Sequence, residues 1–261
     1  MDFQQQKDIF NDYVSQYDTT NPKIQLKLAH TFGVIHASEF IMNELKLEEE
    51  EQQLGRLIAL LHDIGRFEQL KRFNSYDDSI LSHTECGLDL LFKQHKILEF
   101  TDDSKDDNII YEAIKNHGVY KIDERLEGRE LLHTKIIRDA DKLDNFRVKE
   151  VSTMESMLDI SDKEVGKSFI TEKIFQAYMS CKPIVYVDRK TPMDCWVSYL
   201  AYIFDLNFKE SLKYIKDNNY IDKLIDRISY TNIDTKQKME QIRIKSNQYM
   251  EEKLKENNEL Y

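Results

Sequence analysis

The chain has 261 residues, of which 41% are hydrophobic and 33% charged, and its formal net charge is −11. This length fits one large domain or a domain with an appendage, and the apolar fraction is sufficient for a core. The negative charge argues against general affinity for nucleic acid duplexes or anionic membranes, because both attract basic surfaces. With only 7 glycines and 3 prolines, residues that interrupt helices are scarce, which favours an all-α fold.

The ends and cysteines of the sequence point to a cytoplasmic protein. The polar start MDFQQQK is not a signal peptide, and no apolar run approaches the roughly 20 residues that span a bilayer. Cys86, Cys181 and Cys195 are far apart and odd in number, so they form no obvious disulfide framework.

Hydrophobic periodicity predicts helices through the first half of the chain. The predicted spans are residues 2–17, 22–45, 48–63, 82–92, 106–116 and 131–146. Asn21 is the expected N-cap of the second helix, with Pro22 as its first residue. The third helix becomes fully apolar toward His62, and Gly65 is predicted to end it. Residues 66–79 are predicted to form an irregular loop.

The second half has the same helical periodicity but fewer ionisable motifs. Helices are predicted over residues 161–181, 192–206, 208–228 (one helix or two) and 234–256, the last capped by Asp234 or Thr235. The helix that carries the single tryptophan, Trp196, either packs internally or forms a homodimer interface. No repeat, low-complexity tract or flexible linker separates this half from the first.

Histidine and aspartate residues interrupt the apolar helical segments in the order H…HD…H…H…D. They are His30, His62, Asp63, His83, His117 and Asp141, with Asp139 close to the last. Imidazole and carboxylate together suit a divalent transition metal such as Mn, Fe, Co, Ni or Zn. Such a metal lowers the pKa of bound water and offsets phosphate charge. The pair His62-Asp63 alone is weak evidence, because a helix C-cap whose imidazole bonds to a carbonyl would look the same.

With these residues in place, the sequence resembles the HD-domain phosphohydrolase superfamily over roughly residues 25–147. The resemblance lies in three segments: His30 to Val34, Leu60 to Gly65, and Asp139 to Asp144. It implies an all-α HD-domain helical bundle in which His30, His62, Asp63 and Asp141 bind one metal. Asp141 is preferred to Asp139 because the family pattern places the ligand directly before a basic residue and leucine, as in Asp141-Lys142-Leu143.

The resemblance also suggests how the chain is divided. Residues 1–24 are expected to form an N-terminal helix that packs on the core, and residues 25–147 the HD domain. Residues 148–261 are expected to be a C-terminal helical extension of the same globule.

His83 and His117 have two alternative roles. In binuclear members of the superfamily two further histidines bind a second metal, and the HD aspartate, here Asp63, would bridge the two ions. Alternatively, both histidines face the phosphate, and one protonates the leaving oxygen as a general acid. The centre is therefore expected to hold one metal ion or two.

Two basic residues are candidate phosphate ligands. Arg66 follows the HD pair, and Lys142 follows Asp141 at a position where nucleotide-cleaving members often have a basic residue. A guanidinium or ammonium group at these places would hold phosphate oxygens. For Arg66, a surface salt bridge explains the residue almost as well.

The predicted function is metal-dependent hydrolysis of a phosphate ester by metal-activated water. The expected substrate is a nucleotide or related small phosphorylated molecule, with Asp63, His83, His117 and Lys142 as the catalytic residues. A di-iron oxygenase with the same ligand order and a nucleotide-binding regulatory module without turnover are the alternatives.

Overall fold

The computed structural model describes residues 1–256, and every regular element in that range is helical. The predicted all-α fold is therefore confirmed. The chain divides into two compact units, Met1–Asp141 and a second that begins at Lys142. Within residues 1–256, no helix is long and apolar enough to cross a membrane. The predicted packing of residues 148–261 on the first unit stays a prediction.

Six helices lie wholly within the first unit, and a seventh begins in it. They are α1 (Phe3–Val14), α2 (Pro22–Glu44), α3 (Glu49–Leu61), α4 (Ile64–Phe73), α5 (His83–Leu88), α6 (Asp107–Asn116) and α7 (Gly128–Val151). A π-helical turn, Asp89–Lys93, follows α5, and a 3-10 turn, Lys96–Glu99, follows that. The predicted start of α2 is confirmed, because the Asn21 side chain accepts a hydrogen bond from the backbone N–H of Lys23 and Pro22 is the first helical residue.

The junction between α3 and α4 differs from the sequence prediction. Helix α3 ends at Leu61, and α4 begins two residues after His62. Gly65 therefore lies inside the first turn of α4 and does not end the preceding helix, and much of the predicted loop 66–79 is helical. Gly65 is required for packing, since a Cβ at this position would overlap the carbonyl oxygen of His83 and the backbone nitrogen of Gly87. The absence of a side chain lets α4 and α5 approach closely.

The helices that flank this junction form the centre of the first unit. Helix α3 packs against α1, α2 and α6, while α4 packs against α2 and α5. The last turns of α3 are buried, and Ala59, Leu60 and Leu61 have no exposed surface. Phe10 and Phe67 meet edge to face, with ring centroids 5.8 Å apart. This packed core holds the segment in which the apolar end of α3 is followed by His62 and Asp63.

The second unit continues α7 and adds seven short or medium helices. They are α8 (Met154–Leu158), α9 (Asp162–Lys167), α10 (Glu172–Met179), α11 (Pro192–Leu200), α12 (Lys209–Asp217), α13 (Tyr220–Asp226) and α14 (Ile233–Lys255). Trp196 on α11 is buried, and its indole N–H donates to the carbonyl of Leu224. This side chain therefore packs internally, whereas the homodimer stays a prediction.

Two boundaries in the second unit also differ from the sequence prediction. Residues 161–181 form two helices because the chain leaves the helical path at residues 168–171. There the buried carboxylate of Asp194 accepts hydrogen bonds from both the backbone N–H and the hydroxyl of Thr171. Asn232, one of the N-cap residue types, caps α14 in place of the predicted Asp234 or Thr235.

Candidate metal centre

Six side chains from six helical elements converge within the first unit. His30 lies on α2, His62 is the C-cap of α3, and Asp63 is the N-cap of α4. His83 is the first residue of α5, His117 is the C-cap of α6, and Asp141 lies on α7. The four histidines and Asp63 are buried, and the Asp141 side chain retains 23% of its exposure. Most of these groups lie at the ends of helices that pack in the core, so the packing of the helices holds the side chains in position.

The six residues form two groups with metal-ligand spacing. His30, His62 and Asp141 form one, and Asp63, His83 and His117 the other, with the ligand atoms of each group within 4.8 Å of one another. In the first group, His30 Nε2 lies 3.0 Å from Asp141 Oδ1.

In the second group, the Nε2 atoms of His83 and His117 are 3.2 Å apart. Imidazole nitrogens and carboxylate oxygens at this spacing are a donor set for a divalent transition metal.

Asp63 belongs to the second group but also faces the first. One of its carboxylate oxygens is directed toward the imidazoles of each group. Its Oδ2 is 3.9 Å from His30 Nε2 and 3.7 Å from His62 Nε2. Its Oδ1 is 3.3 Å from His83 Nε2 and 3.8 Å from His117 Nε2. A carboxylate with this arrangement can serve as a ligand to two cations at once.

Hydrogen bonds at the far side of the rings fix the tautomers. His62 Nδ1 is 2.8 Å from the carbonyl of Ala59, and His117 Nδ1 is 2.6 Å from the carbonyl of Ile114. A carbonyl only accepts, so Nδ1 carries the proton and the neutral ring keeps a lone pair on Nε2. The Nε2 of His62 is buried and has no hydrogen-bond partner. Such an orphaned acceptor costs free energy unless a ligand meets it, so the site fits a metal.

The pKa shifts agree with a set of neutral imidazoles and ionised carboxylates. Burial lowers the pKa of His62 to about 4 and does the same for His83, with help from the nearby Arg66 charge. Burial acts to raise the pKa of Asp63, but Lys27 and the imidazoles outweigh it and hold that pKa well below its ordinary value. Near neutral pH, these three groups are therefore in the protonation states that bind metal.

Asp78 is a supporting residue that the sequence analysis did not single out. Its Oδ1 lies 2.7 Å from His83 Nδ1 and also accepts from the backbone N–H of His83. The same carboxylate accepts hydrogen bonds from both terminal nitrogens of Arg66, at 2.8 and 3.0 Å. Asp78 therefore orients His83 as a second-layer carboxylate orients a metal ligand. It lies in the segment after α4, five residues before His83, and no helical spacing indicates it.

Arg66 is held between Asp78 and Asp63. Its Nη1 also donates to Gln69 and to the carbonyl of Tyr76. Its Nε is buried without a hydrogen-bond partner and lies 3.7 Å from Asp63 Oδ1. The guanidinium thus keeps one donor beside the Asp63 carboxylate, and its predicted contact with phosphate stays a prediction.

Lys27 is the second residue that sequence reasoning missed. Its ammonium lies 2.7 Å from Asp63 Oδ2, and the side chain is 17% exposed. A signal existed, since Lys27 precedes His30 by three residues and therefore shares its face of α2.

The other predicted residues have more distant or different surroundings. Asp139 is fully buried on α7 but belongs to neither metal-spaced group, whereas Asp141 belongs to the first. The ammonium of Lys142 lies 3.0 Å from Asp205 within the second unit. Its predicted role as a catalytic and phosphate-binding residue stays a prediction.

The fold and this site together define an all-helical domain with a histidine–aspartate centre suited to divalent metal. Residues 28–145 match the family model described as HD domain, so this segment of the chain belongs to the HD-domain superfamily of metal-dependent hydrolases, as the sequence predicted. HD domains bind divalent metals, and both ligand groups lie within the matched segment. Neither the curated proteins nor the solved structures that were compared with the chain gave a match.

Proposed function

We propose that this protein is a binuclear phosphohydrolase that cleaves a phosphate ester of a nucleotide or a related small molecule. The position of Asp63 carries the proposal, because its two oxygens face two different pairs of imidazoles. Metal ions in such a site would supply activated water and positive charge against a phosphate.

The residues of the chain have separable roles in this proposal. His30, His62 and Asp141 would hold one ion, His83 and His117 would hold the other, and Asp63 could contribute an oxygen to each. Burial lowers the pKa of His83 to about 4 and so keeps its ring neutral near neutral pH. A neutral ring supports the ligand role over the general-acid role, because a general acid has to be an imidazolium. Arg66 Nε and the positive charges around Asp63 favour an anionic substrate.

The test compares two histidines of the same helix. His30 points into the centre, whereas His36 is also on α2 with a side chain that is 81% exposed. We expect His30→Gln and Asp63→Asn to reduce bound metal and to slow hydrolysis of a nucleotide panel by at least about 100-fold, since even outer residues of metal sites contribute 10–100-fold. His36→Gln should retain both properties. Full hydrolysis by Asp63→Asn would disprove the proposal.

A di-iron oxygenase is the second candidate, and the same bridging position of Asp63 supports it. Carboxylate and imidazole ligands also suit iron, so the ligand set does not separate the two reactions. Purified protein with two irons and substrate-dependent oxygen consumption would favour the oxygenase. Tight nucleotide binding without product would instead favour the regulatory module.

A further inference from the structure

We propose that Lys27 is a phosphate ligand whose ammonium competes with metal for one oxygen of Asp63. The inference deepens the proposed function and rests on it. The starting observation is the 2.7 Å ion pair between the Lys27 ammonium and Asp63 Oδ2. None of the sequence motifs assigned a role to this lysine.

The ammonium and a metal ion compete for the same oxygen. Asp63 Oδ2 also faces the Nε2 atoms of His30 and His62, at 3.9 and 3.7 Å. A divalent cation held by these imidazoles would use Oδ2 as a ligand, and it would repel an ammonium in contact with the same atom. The Lys27 ammonium therefore takes the place of a metal ion at Asp63 Oδ2. A metal ion bound by this oxygen would displace the ammonium by a short distance.

The surroundings of Lys27 allow that displacement. Lysine has a flexible four-carbon stem and a compact charge, and this side chain keeps 17% of its exposure. Its ammonium already lies 5.5 Å from the centre of the Tyr76 ring, which can support a cation on its face. The Tyr76 hydroxyl donates to the carbonyl of Lys23, so the ring is held in place.

Lys27 and Arg66 each lie near a different carboxylate oxygen of Asp63. Lys27 contacts Oδ2, and Arg66 Nε is 3.7 Å from Oδ1. Bidentate pairing with Asp78 restrains the guanidinium, whereas the ammonium is held by its ion pair with one oxygen of Asp63. A phosphate drawn to the centre would thus meet one fixed cation and one that can adjust.

The experiment measures two affinities with opposite expected changes. Calorimetry gives the affinity of the metal-free protein for Mn²⁺ and the affinity of the Mn²⁺-loaded protein for inorganic phosphate. For Lys27→Met we expect Mn²⁺ affinity higher than that of the wild type, because the competing cation is gone. Phosphate affinity should fall about tenfold or more, the contribution of a charge-assisted hydrogen bond.

Lys23→Met is the matched control. Lys23 lies on the same helix and over the same ring, 5.8 Å from its centre, but its ammonium donates to the carbonyl of Asn74. Phosphate affinity should stay within about twofold of the wild type in this variant, since an exposed charge contributes little. Lys27→Arg keeps a positive charge and should recover part of the phosphate affinity, which separates loss of charge from loss of folding.

Each outcome decides a different claim. If Lys27→Met binds phosphate as tightly as the wild type, the role of Lys27 is overturned while the phosphohydrolase proposal stands. If the Mn²⁺-loaded wild type binds no phosphate and cleaves no phosphate ester, both proposals are overturned. Unchanged or lower Mn²⁺ affinity in Lys27→Met would overturn the competition between lysine and metal.

Discussion

Asp63 is a single carboxylate that faces two pairs of imidazoles. Its oxygens lie 3.3–3.9 Å from four Nε2 atoms, distances that leave space for a cation between oxygen and nitrogen. Zn–N and Zn–O bonds are each about 2.0–2.2 Å long. A ligand removed from one side of Asp63 should therefore affect one ion more than the other.

The first prediction concerns His83, which belongs only to the second group. We expect His83→Gln to lower bound metal from two equivalents to one, because His30, His62 and Asp141 remain in place. Elemental analysis of protein dialysed against metal-containing buffer would measure the ratio. Two equivalents in the variant would contradict the division of ligands, as would a single equivalent in the wild type.

The second prediction concerns Asp78, which accepts from His83 Nδ1 and pairs with Arg66. Asp78→Asn should weaken metal binding about 10–100-fold, because outer partners of metal ligands contribute on this scale. Competition with a metal-sensitive dye would measure the affinity.

Asp77→Asn provides the control for Asp78→Asn. The neighbouring Asp77 carboxylate accepts from the backbone N–H of Ser79, outside both ligand groups. Equal metal affinities in the two variants would show that Asp78 has no particular role in orienting His83.

Single residues show where sequence reasoning succeeded and where it stopped. His30, His62 and Asp141 were predicted together from a family pattern, and the structure brings their ligand atoms within 4.8 Å of one another. Lys27 was missed although helical spacing places it beside His30. Asp78 could not be found, since its place depends on the path of the segment between α4 and α5.

At the scale of elements, the contact between α4 and α5 positions part of the centre. Gly65 on α4 lies against the backbone of His83 and Gly87 on α5. A change in the spacing of these helices would move the His83 ring relative to Asp63, since both residues are at helix ends.

The third prediction uses this contact. Gly65→Ala should destabilise the protein by about 2–4 kcal/mol, because the added methyl group meets backbone atoms that cannot move aside like a side chain. It should also weaken metal binding. Urea unfolding would give the free energy, and metal titration the affinity.

Gly118→Ala is the comparison for this glycine. A Cβ at position 118 would lie 3.9 Å from His83 Cε1, an ordinary contact. Its stability should stay within about 1 kcal/mol of the wild type. Equal stabilities of the two alanine variants would indicate that α4 and α5 do not need their close approach.

A cap predicted the start of α2 correctly, whereas the cap of α14 lies two residues or more before the predicted ones. Asn21 and Pro22 fixed the start of α2. The end of α3 was misplaced because Gly65 reads locally as a terminator, whereas its actual role is a tertiary contact with α5. Periodicity alone contains no information on such a partner.

At the scale of the whole molecule, titration of the centre links stability to pH. His62 and His83 have a pKa of about 4 in the folded protein, against about 6.5 in an unfolded chain. Between these values the unfolded chain binds more protons, so stability falls as pH falls. The carboxyl pKa values of Asp63 and Asp141 are also lowered, and they act in the same direction at lower pH.

The fourth prediction is a decrease in the melting temperature of the metal-free protein from pH 7 to pH 5. Each histidine contributes a slope of at most about 1.4 kcal/mol per pH unit. Calorimetric melting in chelator would measure it, and His83→Gln should reduce the slope. A melting temperature that is constant or rises toward pH 5 would contradict the assignment of neutral imidazoles.

The contact between His30 and Asp141 joins residues that are 111 positions apart. Asp141 is also the last residue of the first unit, so a growing chain supplies its final ligand only when that unit is complete. A metal ion bound there would close a loop over these 111 positions, which is most of the unit. Closing so long a loop costs chain entropy, so we expect this contact to form late in folding. The same ion would then crosslink the two ends of this loop and oppose unfolding of the completed unit, much as a disulfide does across a long loop.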